Sequence, residues 1–267
     1  MSAMFKASRL LFPLTLALSA FAGCGGHGGG SSVPPFPNGD ANPAGLWVGN
    51  FTAADGTTRG FDMIVAPDGL FVGVVASTGL NGRFLIGTAD TTLNEFSASG
   101  TVFPQAGEAP LLPNGQTSGD LTVSDGTVVG GSSLKGSYSG GGESGSFALQ
   151  YNGLTSRGAS VNAITGVYDI YPPVPLLNIV VVVSGNTLTF ASDGGCNGAG
   201  TISVIDPTMN IYAWSMLIGM CNGVAGDTYS GLATLADNPR TNSQGTLIAL
   251  YGATENHDRS FVFRGSK

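Results

Sequence analysis

Short apolar segments that alternate with polar residues recur along the chain from Leu46 onward. Three pairs of such segments flank residues typical of tight turns. The first pair, Phe61–Ala66 and Leu70–Val75, flanks Pro67-Asp68-Gly69, and the second, Leu121–Ser124 and Thr127–Val129, flanks Asp125-Gly126. The third pair, Ile179–Val183 and Thr187–Phe190, flanks Ser184-Gly185-Asn186. Asp-Gly and Gly-Asn adopt the positive φ that hairpin turns require, so each pair predicts a β-hairpin. A weak helical period at Ala213–Met220 fits a buried strand equally well. The pattern predicts an all-β protein.

The two halves of the chain resemble each other. The matching segments are Gly45–Gly49 with Gly166–Ile170, Asp68–Val72 with Gly185–Phe190, Asn81–Thr88 with Asn197–Ile202, and Ser146–Tyr151 with Ser260–Arg264. Each half contains about eight strands, and closing eight strands into a barrel removes exposed edges. We therefore expect two consecutive small antiparallel eight-stranded barrels, in residues 44–152 and 164–267. A pair of β-sandwiches, or one sandwich with an irregular insert, is the alternative.

The N-terminus has the pattern of a secretory signal peptide. Lys6 and Arg9 form a positive segment, and the uncharged apolar stretch from Leu10 to Ala22 follows it. About 20 apolar residues are needed to cross a bilayer as a helix, and this stretch is too short. Residues 1–23 are therefore interpreted as a signal peptide.

The segment Leu18-Ser19-Ala20-Phe21-Ala22-Gly23-Cys24 resembles the lipobox of bacterial lipoproteins, with Phe21 where the family prefers Leu. The resemblance implies cleavage between Gly23 and Cys24, a diacylglycerol thioether on Cys24 and acylation of the new amine. Two or three acyl chains anchor a protein firmly. Gly25 follows Cys24 in place of the Asp that marks inner-membrane retention in many such proteins, which implies the outer membrane.

Residues 24–43 are rich in Gly, Ser and Pro and are interpreted as a tether, because such tracts are flexible or extended. The lipid anchor, the tether and the predicted barrels together resemble the surface lipoproteins typified by transferrin-binding protein B and factor H-binding protein. This resemblance lies in the layout of the chain and carries no ligand with it.

The charge balance argues against a nucleic-acid partner. The whole chain of 267 residues has a net charge of −7, and removal of residues 1–23 takes Lys6 and Arg9 away and leaves −9 on 244 residues. A surface this acidic repels nucleic acid and anionic lipid. Apolar residues make up 42% of the chain, which favours a folded protein over a disordered one.

Cys196 and Cys221 remain once Cys24 is acylated. An even pair in an oxidising compartment predicts one disulfide bond, which would stabilise the fold by roughly 3–4 kcal/mol. The two histidines, His27 and His257, are remote in sequence from both cysteines, so we predict no metal site.

Catalytic motifs are not recognisable in the sequence. His257 lies in a polar stretch between two predicted strands without a Gly-x-Ser-x-Gly elbow, and the Gly-rich segment Ser139–Gly145 lacks the Lys of a phosphate-binding loop. Paired carboxylates brought together by folding, as in glycosidases, stay open. We predict no enzyme activity and no cofactor.

The sequence therefore favours a lipid-anchored outer-membrane protein with a non-enzymatic binding or structural role, facing the cell surface or the periplasm. Loops such as Phe103–Thr117, with Pro104, Pro110 and Pro113, are candidate contact surfaces. The alternative is a periplasm-facing carrier with a small apolar ligand inside a lipocalin-like barrel. Trp47 and Trp214 are expected to fill barrel interiors.

Overall fold

The computed structural model describes residues 41–76, 82–104, 111–170, 179–193, 195–219, 226–238, 243–257 and 259–267. The predicted signal peptide, Gly23, Cys24, most of the tether and Cys221 lie outside these residues.

Sixteen antiparallel strands in the described residues form two closed barrels. The first barrel contains β1 (Gly45–Ala53), β2 (Thr58–Val65), β3 (Leu70–Val75), β4 (Arg83–Thr92), β5 (Glu95–Pro104), β6 (Gly119–Val129), β7 (Ser133–Gly140) and β8 (Glu143–Tyr151). The second contains β9 (Gly166–Ile170), β10 (Ile179–Ser184), β11 (Thr187–Ser192), β12 (Asn197–Val204), β13 (Tyr212–Ile218), β14 (Asp227–Asn238), β15 (Ser243–Thr254) and β16 (Ser260–Ser266). Each strand pairs with its neighbours in sequence, and β1–β8 and β9–β16 close the barrels.

The predicted fold class is confirmed, and barrels are found in place of sandwiches. The segments that match between the halves occupy equivalent places in the strand order, since β1, β3, β4 and β8 correspond to β9, β11, β12 and β16. The hairpins β2–β3 and β10–β11 form around the predicted turns, where Gly69 and Gly185 have φ of 89° and 57°.

One local prediction is wrong, and one open alternative is decided in favour of a strand. Asp125-Gly126 does not end a strand but lies inside β6, where the pairing register shifts and Asp125 has a φ of 52°. A positive φ serves a β-bulge as well as a hairpin turn, so the dipeptide alone does not distinguish them. The stretch Ala213–Met220 lies largely in β13 rather than in a helix, because its apolar residues alternate between the inside and the outside of the second barrel.

Side chains fill both barrels. Trp47 and Trp214 are buried inside the first and second barrels respectively, as predicted. β8 shows the expected alternation, with Phe147 and Leu149 buried and Ser146, Ala148 and Gln150 exposed. Inward-facing apolar side chains of eight strands are sufficient to occupy a barrel of this size.

The barrels pack against each other through part of their outer walls. A third apolar cluster joins the first barrel to the second and contains Leu46, Ile64, Ala66, Val72, Val74, Phe84, Ile86 and Phe103 from one and Ile211, Leu232, Ala249, Tyr251 and Ala253 from the other. Strands in this wall are buried on both faces, so β3 and much of β15 lack alternation. Each large apolar side chain removed from water contributes about 1.5–3 kcal/mol.

The linker between the barrels is structured. A 3-10 helix (Gly153–Arg157) and one turn of α-helix, α1 (Val161–Ile164), connect β8 to β9. The side chains of Asn152 and Ser160 accept hydrogen bonds from Leu154 N and Ala163 N and cap the two short helices.

Candidate recognition surface

The connections at the two ends of the barrels differ in length. We call the end that carries the connections 66–69, 93–94, 130–132 and 185–186 the turn pole, and the opposite end, with connections 76–82, 105–118, 171–178 and 219–226, the loop pole. The longest hairpin connections thus belong to the loop pole. Several of their residues lie outside the described part of the chain.

The described chain begins at the turn pole. Ala41 N donates to Leu93 O at 2.6 Å, and the indole Nε1 of Trp47 donates to Pro43 O at 2.8 Å. The segment before β1 is therefore held against the end of the first barrel. The loop pole is the end remote from residue 41, and loops on a rigid scaffold are common recognition sites.

Inside the first barrel, an ionic cluster lies at the loop pole. Arg59 forms an ion pair with Glu143, and Arg83 Nε lies 3.8 Å from the other carboxylate oxygen of Glu143. The hydroxyl of Tyr138 donates to Glu143 at 3.1 Å, and the Arg59 guanidinium lies over the Phe51 ring at 5.0 Å from its centre. Burial raises the pKa of Tyr138, and the nearby Glu143 charge adds to this shift, so Tyr138 stays protonated.

The cavity found inside the first barrel is small. Leu112 from the β5–β6 connection is buried in its core, while the neighbouring Leu111 is exposed. A cavity of about 10 Å³ lies among Phe61, Met63, Phe71 and the surrounding side chains. This volume holds about one water molecule, whereas ligand pockets measure several hundred Å³.

The second barrel has an aromatic group at its loop pole. The ring centre of Phe261 lies 5.8 Å from those of Phe190 and Tyr229 and 5.4 Å from that of Trp214. Phe190, Tyr229 and Phe261 are half-buried, while Trp214 is buried beneath them and donates from Nε1 to Leu232 O and Tyr251 O. We call Phe190, Tyr229 and Phe261 the aromatic mouth.

Cys196 lies at the same pole, immediately before β12. Gly219 N donates to Asn197 O at 2.6 Å, so β12 and the end of β13 are still paired there. Cys196 precedes Asn197 and Cys221 follows Gly219 by two residues in sequence. Cys221 lies outside the described residues, and the predicted disulfide stays a prediction.

Polar contacts link the barrels at three levels. Near the turn pole, Leu46 N donates to Thr155 Oγ1, and Asn210 N donates to Thr155 O. At mid-height, Arg264 of β16 forms an ion pair with Asp62 of β2 at 3.4 Å. Towards the loop pole, Thr101 Oγ1 lies 3.3 Å from His257 Nδ1. The barrels therefore lie side by side with their loop poles on the same side.

The predicted contact loop Phe103–Thr117 is only partly a surface. Phe103 is buried in the inter-barrel cluster and Leu112 in the first barrel, so these two residues are corrected from contact residues to core residues. Residues 105–110, including Pro110, lie outside the described part. Pro113 is exposed and Pro104 half-buried.

Sequence reasoning missed the ionic cluster and the inter-barrel ion pair. One signal was present, because Arg59, Arg83 and Glu143 stand in phase with the inward apolar residues of β2, β4 and β8. A charged residue at an inward position predicts a buried partner. Nothing local indicates which partner, since Arg59 and Glu143 are 84 positions apart and Asp62 and Arg264 are 202 apart.

The described residues contain no group of three potential metal ligands among His, Cys, Asp and Glu. In the same residues, no helix has the length and apolar character needed to cross a membrane. His257, the histidine of the folded part, lies in the β15–β16 turn with a φ of 50°.

The fold defines a class, namely all-β proteins with two side-by-side eight-stranded barrels. Comparison of the chain with protein-family models, with curated proteins and with solved structures found no match.

Proposed function

We propose that the chain is a lipid-anchored outer-membrane lipoprotein with a non-enzymatic binding or structural role in the cell envelope. The observation that carries the proposal is the lipobox-like segment that ends at Cys24, followed by a Gly-, Ser- and Pro-rich tether. Acyl chains on Cys24 would attach the folded part to the membrane through the turn pole.

The architecture supports a role in display. The last residues of the tether, from residue 41 to residue 43, contact the turn pole, so the loop pole is the end of both barrels directed away from the attachment point. Aromatic side chains are enriched at protein interfaces, and the aromatic mouth presents three half-buried ones at this pole. We place the contact surface there.

The carrier alternative gains no support from the first barrel. Its 10 Å³ cavity is far below the volume of a small apolar ligand, and its loop pole is closed by Leu112 and the ionic cluster. A binding role at the outside of the loop pole is therefore preferred over a ligand held inside the first barrel.

Orientation and binding are tested together on intact cells. Protease is added to intact cells and, in a separate sample, to cells whose outer membrane has been permeabilised. Cleavage in intact cells indicates that the barrels face outward, whereas cleavage only after permeabilisation indicates that they face the periplasm. Cross-linking from a photoreactive residue in place of Thr228, beside the aromatic mouth, would capture a partner, with the same residue at Lys135 on the far wall as the control. Equal capture from both positions, or from neither, contradicts a contact surface at the loop pole.

A further inference from the structure

The inter-barrel ion pair is directional, whereas the wall around it is apolar apart from the hydrogen-bond contacts of Thr155 and the contact between Thr101 and His257. Arg264 Nη2 contacts Asp62 Oδ2 at 3.4 Å across the wall. Apolar contacts depend little on relative angle, while hydrogen-bonded ion pairs require a defined geometry. A single charged contact in an apolar wall can therefore select one arrangement out of several that bury similar area.

Tyr251 holds the guanidinium on the side of the second barrel. Nε and Nη2 of Arg264 donate to the Tyr251 hydroxyl at 3.1 and 2.9 Å, and the guanidinium lies 5.8 Å from the centre of the Tyr251 ring. The arginine is thus positioned by its own barrel and directed towards Asp62 of the other. The guanidinium is therefore held within the second barrel by Tyr251 as well as across the wall by Asp62.

The Asp62–Arg264 ion pair is largely buried, but not all of its polar atoms have hydrogen-bond partners in the described structure. Asp62 has only 12% of its side chain exposed, and its Oδ1 atom is buried without a hydrogen-bond partner in the described structure. Burial raises the pKa of Asp62 despite the opposing effect of Arg264. A buried pair of this kind contributes little net stability, and its attested use is to specify one arrangement.

The linker supplies a fixed point at one end of the wall. Thr155, buried between the barrels, accepts from Leu46 N through its hydroxyl and from Asn210 N through its carbonyl. The side chain of Asn210 continues the network to the backbone of Leu235. We call these hydrogen bonds of Thr155 and Asn210 the Thr155–Asn210 clamp. Because the clamp holds the barrels together near the turn pole, the two apolar walls can move relative to each other mainly by rotation about it.

We propose that the Asp62–Arg264 ion pair fixes the rotation of the second barrel about the Thr155–Asn210 clamp and so keeps the two loop poles on one side. The pair specifies the arrangement of the barrels and does not supply the stability of their contact.

The test measures orientation and stability separately in the full chain, purified in detergent. Nitroxides attached through p-acetylphenylalanine at the exposed positions Lys135 and Thr189, one on each barrel, avoid the native cysteines. Pulsed electron resonance then gives the distance distribution between the barrels. The variants are Arg264→Met, the double variant Asp62→Leu with Arg264→Met, and Asp62→Asn.

We expect one narrow distance in the wild type. The double variant should unfold at a urea concentration equal to or above that of the wild type, with a broadened distribution or a second distance. Arg264→Met alone should be less stable than the double variant, because it leaves the Asp62 carboxylate buried without its cation. Asp62→Asn keeps the shape of the side chain and should remain folded with a broadened distribution.

The control is the exposed pair Asp227 and Arg259, which joins residues of the second barrel alone. Its double variant, Asp227→Leu with Arg259→Met, should leave the distance distribution unchanged. A narrow, wild-type distribution in both Asp62 variants would overturn the proposal. So would a double variant less stable than Arg264→Met, since the pair would then act through stability.

Discussion

The loop poles of the two barrels are built from the same strand topology and different chemistry. In the first barrel, Arg59, Arg83 and Glu143 form an ionic cluster inside the pole, and Leu112 from the β5–β6 connection is buried in the same core. In the second, Phe190, Tyr229 and Phe261 are half-buried at the pole, and Cys196 precedes β12 at the same pole. The difference teaches that the strand order determines the scaffold of both barrels. A few inward-facing residues near the strand ends then determine whether a pole contains an ionic cluster or presents accessible apolar side chains.

The largest effect is expected in the ionic cluster of the first barrel. Glu143→Leu removes the carboxylate that faces Arg59, Arg83 and Tyr138. Loss of one side of a buried ion pair costs about 3–5 kcal/mol, so the free energy of unfolding measured in urea should fall by that amount. The matched control is Asp227→Leu, which breaks an exposed pair and should cost less than about 1 kcal/mol. Equal losses in the two variants would contradict a sealing role for the cluster.

The predicted disulfide between Cys196 and Cys221 should stabilise the second barrel against unfolding. Cys196→Ser is expected to lower the free energy of unfolding by about 3 kcal/mol, because the cross-link no longer restricts the unfolded chain. Addition of a reductant to the wild type should give the same loss and should have no further effect on the variant. Cys24→Ala serves as the control and should leave unfolding of the barrels unchanged. Insensitivity of the wild type to reductant would argue that Cys196 and Cys221 are not bonded to each other.

A smaller effect is expected at the aromatic mouth. Phe261→Ala should cost about 1–2 kcal/mol, less than the 3–5 kcal/mol typical of a fully buried Phe, because Phe261 is only half-buried. Phe147→Ala provides the comparison inside the first barrel, where Phe147 is 4% exposed, and should show the full loss. Unfolding in urea measures both. If Phe261→Ala costs as much as Phe147→Ala, the mouth is core and the comparison between the poles fails.

The smallest expected effect is a pH dependence of the change in Tm, with opposite signs for variants of the two carboxylates Asp62 and Asp237. Burial raises the pKa of Asp62, so its proton stabilises the fold fully below about pH 4 and this contribution is lost as the pH rises through the raised pKa. The difference in Tm between Asp62→Asn and the wild type should therefore be more positive at about pH 7 than at about pH 3.5.

Asp237 provides the matched control. The hydrogen bond from Arg157 lowers the pKa of Asp237, so its stabilisation is present above the ordinary pKa and is lost on acidification. For Asp237→Asn the difference in Tm should be more negative at about pH 7 than at about pH 3.5. The same sign for both variants would contradict the assigned environments.

The sequence was sufficient to predict the all-β class, the two barrels and the correspondence between the halves, because hairpin turns and alternation are local signals. It misplaced Asp125-Gly126, since a bulge and a turn both use a positive φ. β3 is an unbroken apolar run because it is buried on both faces, by the core of its own barrel and by the second barrel. The sequence does not reveal this cause, because the residues of the second barrel that cover β3 are known only from the structure.

The chemistry of the poles was less predictable for a physical reason. Arg59 meets Glu143 and Asp62 meets Arg264 only after barrel closure and barrel docking, so no local pattern pairs them. The aromatic mouth depends likewise on strand ends from β11, β14 and β16 that are remote in sequence. The lipobox-like segment is the opposite case, because its residues are consecutive in the sequence and the resemblance does not depend on the fold.

The most direct test of the proposed function is the covalent state of the N-terminus. Intact-mass and peptide mass spectrometry of the protein extracted from membranes should show a chain that begins at Cys24 and carries a diacylglyceryl group and an N-acyl chain. Labelled palmitate should be incorporated into the wild type and into Cys196→Ser, and not into Cys24→Ala. A membrane-associated chain with an unmodified Cys24, or palmitate label that persists in Cys24→Ala, would contradict the lipid anchor and with it the assignment of the loop pole as the displayed end.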